Sequence, residues 1–174
     1  MALLSRYYPY EYVEDVFSID YDRLYEKGIR GLIFDIDNTL VPHGADSTKE
    51  IDDLFVRIHK TGLRTLLLSN NSESRVKRFM ANIDTLYIYD ANKPEVDAFK
   101  QAVIMLGVKD DEAVVIGDQV FTDVYGANRC GLASILVKYI GYYKTEKKGI
   151  RRNIERVILY LYEHSKKNQH RLNL

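Results

Sequence analysis

Residues 31–40 read Gly-Leu-Ile-Phe-Asp-Ile-Asp-Asn-Thr-Leu, an apolar, β-prone run that ends in two carboxylates two positions apart. On a strand, that spacing sets Asp35 and Asp37 on one face, and the polar residues that follow put them where the strand should be ending. Acids at the carboxyl edge of an open α/β sheet lie where such sheets bind ligands. Two carboxylates held that close need a counter-charge, and a hard cation with oxygen ligands, Mg²⁺, suits them. An aspartate beside Mg²⁺ can also attack phosphorus and form an aspartyl-phosphate. A calcium loop competes for the same acids. It needs Gly at its sixth position and Glu at its twelfth, but counting from Asp35 these positions hold Leu40 and Asp46.

Later segments end in matching chemistry. Leu63–Leu68 is a buried-strand run followed by Ser69, Asn70 and Asn71. Leu86–Asp90 is a short strand, after which Ala91-Asn92-Lys93-Pro94 opens a helix with Pro94 near its first turn. Ala113–Gly117 is a fourth strand, running into Asp118, with Thr122 and Asp123 just beyond. Each part alone has an ordinary explanation: Ser69 as a turn residue, Lys93 as a surface charge, Asp118 and Asp123 as helix caps. Together, an attacking acid, an oxyanion-binding hydroxyl, a neutralising cation and a metal-binding acid pair make a phosphoryl-transfer set.

The ordered motifs D-I-D-N-T, S-N-N, N-K-P and G-D-Q-V-F-T-D, spanning residues 31–137, resemble the four motifs of the haloacid dehalogenase (HAD) superfamily. With the following G-x-N-R they are similar to the YqeG-like branch of its subfamily IIIA phosphatases, relatives of the mitochondrial phosphatidylglycerophosphate phosphatases. The resemblance implies roles position by position. Asp35 matches the nucleophile and Asp37 the general acid/base that protonates the leaving oxygen. Thr39 matches the residue that steadies their loop. Ser69 and Lys93 match the phosphate-binding pair, and Asn70 is expected to bind phosphate beside them. Asp118 matches the metal ligand, joined by Asp35 and the Asp37 carbonyl, and Asp123 the second acid of the fourth motif.

These residues must be positioned by alternating strands and helices. Ser47 followed by Glu50 predicts a capping box ahead of Ile51, Leu54, Phe55 and Ile58 at helical spacing. Residues 75–80, 96–106 and 120–128 supply further crossover helices. Alternating β and α with short links predicts a three-layer, Rossmann-like parallel sheet with helices on both faces. From Thr39 to Ser69 lie 29 residues, and from Ser69 to Lys93 lie 23. One helix and one strand consume each interval. In the superfamily, cap domains are inserted at those two places, so the resemblance implies a capless, open site suited to a large or lipid substrate.

The 174 residues are expected to form a single domain, with core motifs at 31–137 and a basic amphipathic segment at 138–174. Formal net charge is zero, but residues 138–174 hold ten Lys/Arg against three Glu, +7, which leaves −7 on residues 1–137. Within that segment Ile150, Ile154, Val157, Ile158 and Leu161 form an apolar stripe. It fits a closing helix packed on the sheet with a frayed basic tail, or a peripheral contact in which Lys/Arg attract anionic lipid. Eleven of the fourteen tyrosines lie near the two ends, in residues 7–25 and 139–162, which suits either arrangement. His43, His59, His164 and His170 show no mutual ligand spacing. Cys130, the one cysteine, excludes a disulfide framework and suits a reducing compartment. No secretory signal or membrane-length apolar run is read, so the expected location is cytoplasmic, or peripheral at the inner membrane face.

The leading expectation is a Mg²⁺-dependent phosphomonoesterase, with phosphatidylglycerophosphate favoured by resemblance. A phosphoprotein, nucleic acid or soluble sugar phosphate is the alternative target, although no nucleic-acid partner is expected. A non-catalytic binding or regulatory module is the third reading, which the complete Asp35/Asp37/Asp118 set disfavours. A second copy of the chain could cover the open site.

Overall fold

The computed structural model describes residues 4–138, 140 and 150–173. The strands are β1 (Glu11–Val13), β2 (Gly31–Phe34), β3 (Arg64–Leu68), β4 (Leu86–Ile88), β5 (Ala113–Gly117) and β6 (Ala133–Val137). They form one sheet in the order β1-β6-β5-β2-β3-β4, and every pairing is parallel. β2 and β5 are buried along their whole length, which is why they read as unbroken apolar runs rather than alternating ones. From β2 the chain winds outward through β3 and β4, then returns to the other side through β5 and β6. The strand order therefore reverses between β2 and β5, and the residues leaving those two strands face one crevice.

Helices cover both faces. α1 (Tyr21–Glu26), α2 (Lys49–Lys60) and α3 (Glu73–Phe79) bury Leu24, Ile51, Leu54, Phe55, Ile58, Val76 and Phe79 against Leu32, Phe34, Leu67, Val114 and Ile116. On the opposite face α4 (Val96–Leu106) and α5 (Tyr125–Arg129) pack Phe99, Ala102, Leu106 and Ala127 on Ile33, Leu66, Leu68 and Val115. α6 (Ile150–Glu163) lies over the β6 end, with Ile158 and Tyr162 against Tyr8, Val120, Val124 and Leu136. This is the expected three-layer arrangement. Residues 40–68 hold only a short loop, α2 and β3, and residues 70–92 only α3 and β4, so no cap is inserted at either place.

Several local expectations are corrected. The α2 cap is Thr48, whose side chain accepts the Ile51 N–H, while Ser47 donates to Asp52 at 2.5 Å. The helix starts one residue later than the capping box requires, so Glu50 is too close to the cap to reach back. Pro94 precedes the α4 cap residue Glu95, because a turn closed by Glu95 N–H on the Asn92 carbonyl comes first. The β1 edge strand, paired in parallel with β6, is an element beyond the expected alternation.

The C-terminal segment departs furthest. Of the stripe expected to pack, Ile158 alone is buried, and Ile150, Ile154, Val157 and Leu161 are exposed. α6 instead turns Glu155, Ile158 and Tyr162, one turn apart, toward the sheet. Nor does the tail fray. Buried Glu11 accepts the N–H groups of Leu172 (2.9 Å) and Asn173 (2.8 Å) and pairs with His170 Nδ1 at 3.0 Å. The Arg171 guanidinium lies over the Tyr10 ring, 3.6 Å from its centroid. Lys144, Lys147 and Lys148 of the basic segment fall outside the described residues.

Candidate active site

β2 ends at Phe34, so Asp35 and Asp37 occupy the loop that leaves it, at the crevice between β2 and β5. That loop is a tight turn: the Leu40 N–H donates to the Ile36 carbonyl at 2.9 Å, and the Asn38 N–H donates to the Val41 carbonyl at 2.7 Å. Thr39 is carried back under Asp35 and donates to its Oδ2 at 3.1 Å. Lys93, on the loop after β4, is buried and reaches across with Nζ 2.6 Å from Asp35 Oδ1 and 2.7 Å from Asp123 Oδ1.

Asp123 comes from a π-helical turn, Val120–Val124, that follows β5. Its Oδ2 accepts the Gln119 N–H at 3.1 Å. Gly117 is required here, because a Cβ at that position would stand 2.4 Å from Asp123 Cγ. Asp118 completes the crevice. Asp35, Asp118 and Asp123 each bring one carboxylate oxygen within 4.8 Å of the others. All but one of their oxygens have hydrogen-bond partners. The exception is Asp118 Oδ1, which is buried without one. An all-carboxylate set with an unsatisfied buried oxygen fits a hard divalent cation.

The electrostatics agree. Burial first, and then the neighbouring Asp123, push Asp35 up to about 6, although Lys93 and Thr39 oppose the rise. Burial likewise pushes Asp118 up to about 8, with Asp35 and Asp123 adding to it against Arg152. Crowding and burial of this kind favour the protonated acids, and a bound cation would relieve that crowding. Lys93 moves the other way: Asp123 and Asp35 outweigh its burial and raise it, so it stays charged.

Asp37 is in a different environment. Burial would raise it, but the Gly44 N–H, Asn71 and Arg75 together hold it below the usual carboxylate range. Asn71 Nδ2 donates to Oδ2 at 2.6 Å, and Arg75 donates to Oδ1 at 2.9 Å from the first turns of α3. Asn71 also donates to the buried Ser69 Oγ at 2.9 Å, which ties the second motif to the first. Exposed His43 stands 3.5 Å from Asp37 at the rim.

The eight site residues named from the motifs, Asp35, Asp37, Thr39, Ser69, Asn70, Lys93, Asp118 and Asp123, lie together around this crevice. Asn70 plays a different part from the one expected. Its Oδ1 accepts the Lys93 N–H at 2.7 Å, and its amide donates to the Lys93 carbonyl at 3.3 Å. It holds the lysine loop rather than opening toward a ligand. Sequence reasoning missed Asn71, Arg75 and Arg152. Arg75 lies on α3, and nothing in its spacing distinguishes an arginine that faces Asp37 from one that faces solvent. Arg152 Nη2 stands 2.7 Å from Asp118 Oδ2, from a helix 34 residues downstream, and no local signal marks it.

Over 159 residues the chain is 36% identical to the Probable phosphatase YqeG of Bacillus subtilis, covering 90% of this chain and 92% of that protein. The chain belongs to the HAD-like hydrolases, in their YqeG-type phosphatase branch. The HAD-hydrolase-like family model matches residues 90–163 of this HAD chain, which carry the third and fourth motifs. A second relative is phosphatidylglycerophosphate phosphatase 1 of Arabidopsis thaliana, 26% identical over 88% of this chain and 46% of that longer protein. Among solved structures, an uncharacterized Listeria monocytogenes protein shares the fold with a TM-score of 0.54 at 18% identity, covering 78% of this chain and 99% of that one. An uncharacterized protein from Corynebacterium glutamicum matches with a TM-score of 0.50 at 20% identity, covering 78% and 94%. No helix among the described residues of this HAD phosphatase is long and apolar enough to cross a membrane.

Proposed function

We propose that the chain hydrolyses phosphomonoesters through an aspartyl-phosphate formed on Asp35, with Mg²⁺ as its cation. One observation carries this reading. Buried Asp35 is gripped by Thr39 and Lys93, and a neighbouring acid, Asp118, has a buried oxygen with no partner. Mg²⁺ held by Asp35, Asp118 and the Asp37 carbonyl would neutralise charge on the phosphoryl oxygens. Asp35 supplies the attacking oxygen, displacing the leaving alkoxide. Lys93 offsets the negative charge beside it, and the Ser69 hydroxyl is available to the transferring phosphoryl group. Asp37 gives its proton to the departing oxygen and then takes one from the water that cleaves the acyl-phosphate. Because Asn71 and Arg75 favour its ionised form, Asp37 must gain that proton as the dianionic substrate arrives.

The favoured substrate is phosphatidylglycerophosphate. Its support is the likeness to the Arabidopsis enzyme, together with a crevice that no inserted cap covers. We further propose an anionic membrane as the partner surface. Residues 138–174 carry +7, and α6 exposes Ile150, Ile154, Val157 and Leu161. A phosphate-release panel decides among substrates: phosphatidylglycerophosphate vesicles, glycerol phosphate, sugar phosphates, a phosphopeptide and a 5′-phosphorylated oligonucleotide. Preference for a soluble member would replace the lipid reading. Absence of turnover on every member, nitrophenyl phosphate included, would favour a binding module.

A further inference from the structure

α6 lies outside the four motifs, yet it supplies a side chain to the metal acid. Arg152 Nη2 donates to Asp118 Oδ2 at 2.7 Å, and its Nη1 lies 3.3 Å from the Asp118 carbonyl oxygen. Nη1 also donates to Oε2 of the buried Glu155 at 2.9 Å. The Asp118 side chain is fully buried, whereas the Arg152 side chain is one-third exposed (33%). With Oδ2 engaged, Asp118 Oδ1 is left unpartnered in the crevice beside Asp35 and Asp123.

We propose that Arg152 is a positioning residue that fixes the Asp118 carboxylate for cation binding, with Glu155 fixing Arg152 in turn. The inference rests on Asp118 being a metal ligand. A planar guanidinium that grips both a side-chain oxygen and the main-chain carbonyl of one residue restricts that residue's side-chain rotation. The carboxylate is then presented by Oδ1 alone. Such a grip needs a fixed platform, and the packing of α6 provides it. Ile158 and Tyr162 are buried against Val120 and Val124. Those two residues belong to the π-helical turn that starts two residues after Asp118. One structural unit thus holds both partners. The C-terminal helix thereby becomes part of the metal site.

The test is Mg²⁺ binding by the full-length chain, measured by calorimetry without substrate, beside circular dichroism and thermal midpoints in chelator. Outer partners of metal ligands are typically worth about 10–100-fold in metal affinity. Arg152→Ala should weaken Mg²⁺ binding by about that factor. Arg152→Lys keeps the charge but not the fork, so it should still lose about threefold or more. Glu155→Gln should weaken binding in the same direction by a smaller factor. At saturating Mg²⁺ the KM for nitrophenyl phosphate should stay near the wild-type value. If wild type binds no Mg²⁺, the ligand assignment of Asp118 fails first. If wild type binds and Arg152→Ala binds as tightly or more tightly, the guanidinium only crowds the cation and the positioning role is wrong. An unchanged metal affinity with a raised KM would make Arg152 a substrate contact and also overturn the proposal. Should Arg152→Ala not fold, Arg152→Lys and Glu155→Gln decide by the same readouts.

Discussion

Arg75 holds Asp37 by a 2.9 Å ion pair in which both side chains are about nine-tenths buried, at 10% and 11% exposure. The acid/base candidate of the first motif is thus oriented by the helix that follows the second. An acid that protonates a leaving group should matter most where the leaving group departs poorly. Asp37→Asn should slow alkyl phosphates by about 10²–10⁴-fold and nitrophenyl phosphate far less. Arg75→Met should give the same pattern, about tenfold, because it loosens Asp37 without removing it. Paired kcat measurements on the two substrate types check this. Equal losses on both would remove Asp37 from the acid role.

Asp35→Asn should abolish phosphate release while leaving the fold intact, because an amide cannot form the acyl-phosphate. Beryllofluoride should inhibit wild type by adding to Asp35. Normal turnover by a folded Asp35→Asn protein excludes the covalent route.

Lys93 bridges Asp35 and Asp123 with its side chain 4% exposed. Removing one member of a buried charge network leaves the others unpaired, at a typical cost of about 3–5 kcal/mol. Lys93→Met should therefore lower stability by about that amount in urea unfolding and also eliminate turnover. Destabilisation under about 1 kcal/mol would mean that the acids neutralise by taking up protons instead of remaining as unpaired buried charges.

The parts of the site that ride on strand ends were legible because each follows a buried run. β2 and β5 announce themselves by continuous apolar residues and β3 by its Leu66–Leu68 run, and the polar residue just past each end is fixed in place by the sheet. Asp35, Ser69 and Asp118 could be named on that basis. Lys93 is further from its strand and was reached through the motif order. Arg75 and Arg152 were not legible as site residues, since an arginine on an amphipathic helix looks the same facing solvent or a carboxylate. α6 shows a second limit. Its pattern contains two apolar arcs, one through Ile158 and Tyr162 and one through Ile150, Ile154, Val157 and Leu161. Helical periodicity reveals arcs, but only tertiary packing chooses which of them meets the sheet. β1, three residues with a charged Glu11, gave no strand signal because its order comes from pairing with β6 and from the tail that Glu11 clasps.

Asp35 and Asp118 are raised to about 6 and about 8, above the ordinary aspartate value near 3.9. Without metal, the folded chain then keeps protons that the unfolded chain has already released. Wherever the native state binds more protons, stability falls as pH rises, so the metal-free protein should lose stability from about pH 4 through about pH 8. A bound cation expels those protons, and Mg²⁺ affinity should rise over the upper part of the same window. Thermal midpoints in chelator at stepped pH read the first effect. Mg²⁺ titrations in buffers of different ionisation enthalpy read the second, as proton release. Flat midpoints and no released protons would mean that both acids are ionised before the metal arrives.

α6 exposes Ile150 at 81%, Ile154 at 48%, Val157 at 59% and Tyr160 at 59%. The first three lie at helical spacing on one arc, about a third of a turn around the helix from the packed residues. An apolar arc on a segment of net positive charge matches an anionic bilayer, where side chains enter the interface and Lys/Arg stay among headgroups. Because Arg152 of the same helix touches Asp118, docking α6 would bring the crevice to the lipid phosphates. Exposed Lys166 and Lys167 would add attraction that salt screens, with a Debye length of ~8 Å at physiological ionic strength. Ile154→Asp with Val157→Asp should abolish co-sedimentation with anionic vesicles, and reversing both lysines should weaken it. Both variants should hydrolyse nitrophenyl phosphate as wild type does, since none of the four residues reaches the crevice. Sedimentation velocity supplies the contrary outcome. If wild type is a dimer that the aspartate pair converts to a monomer, and neither protein binds vesicles, the arc is covered by a second copy of the chain and the membrane is not its partner.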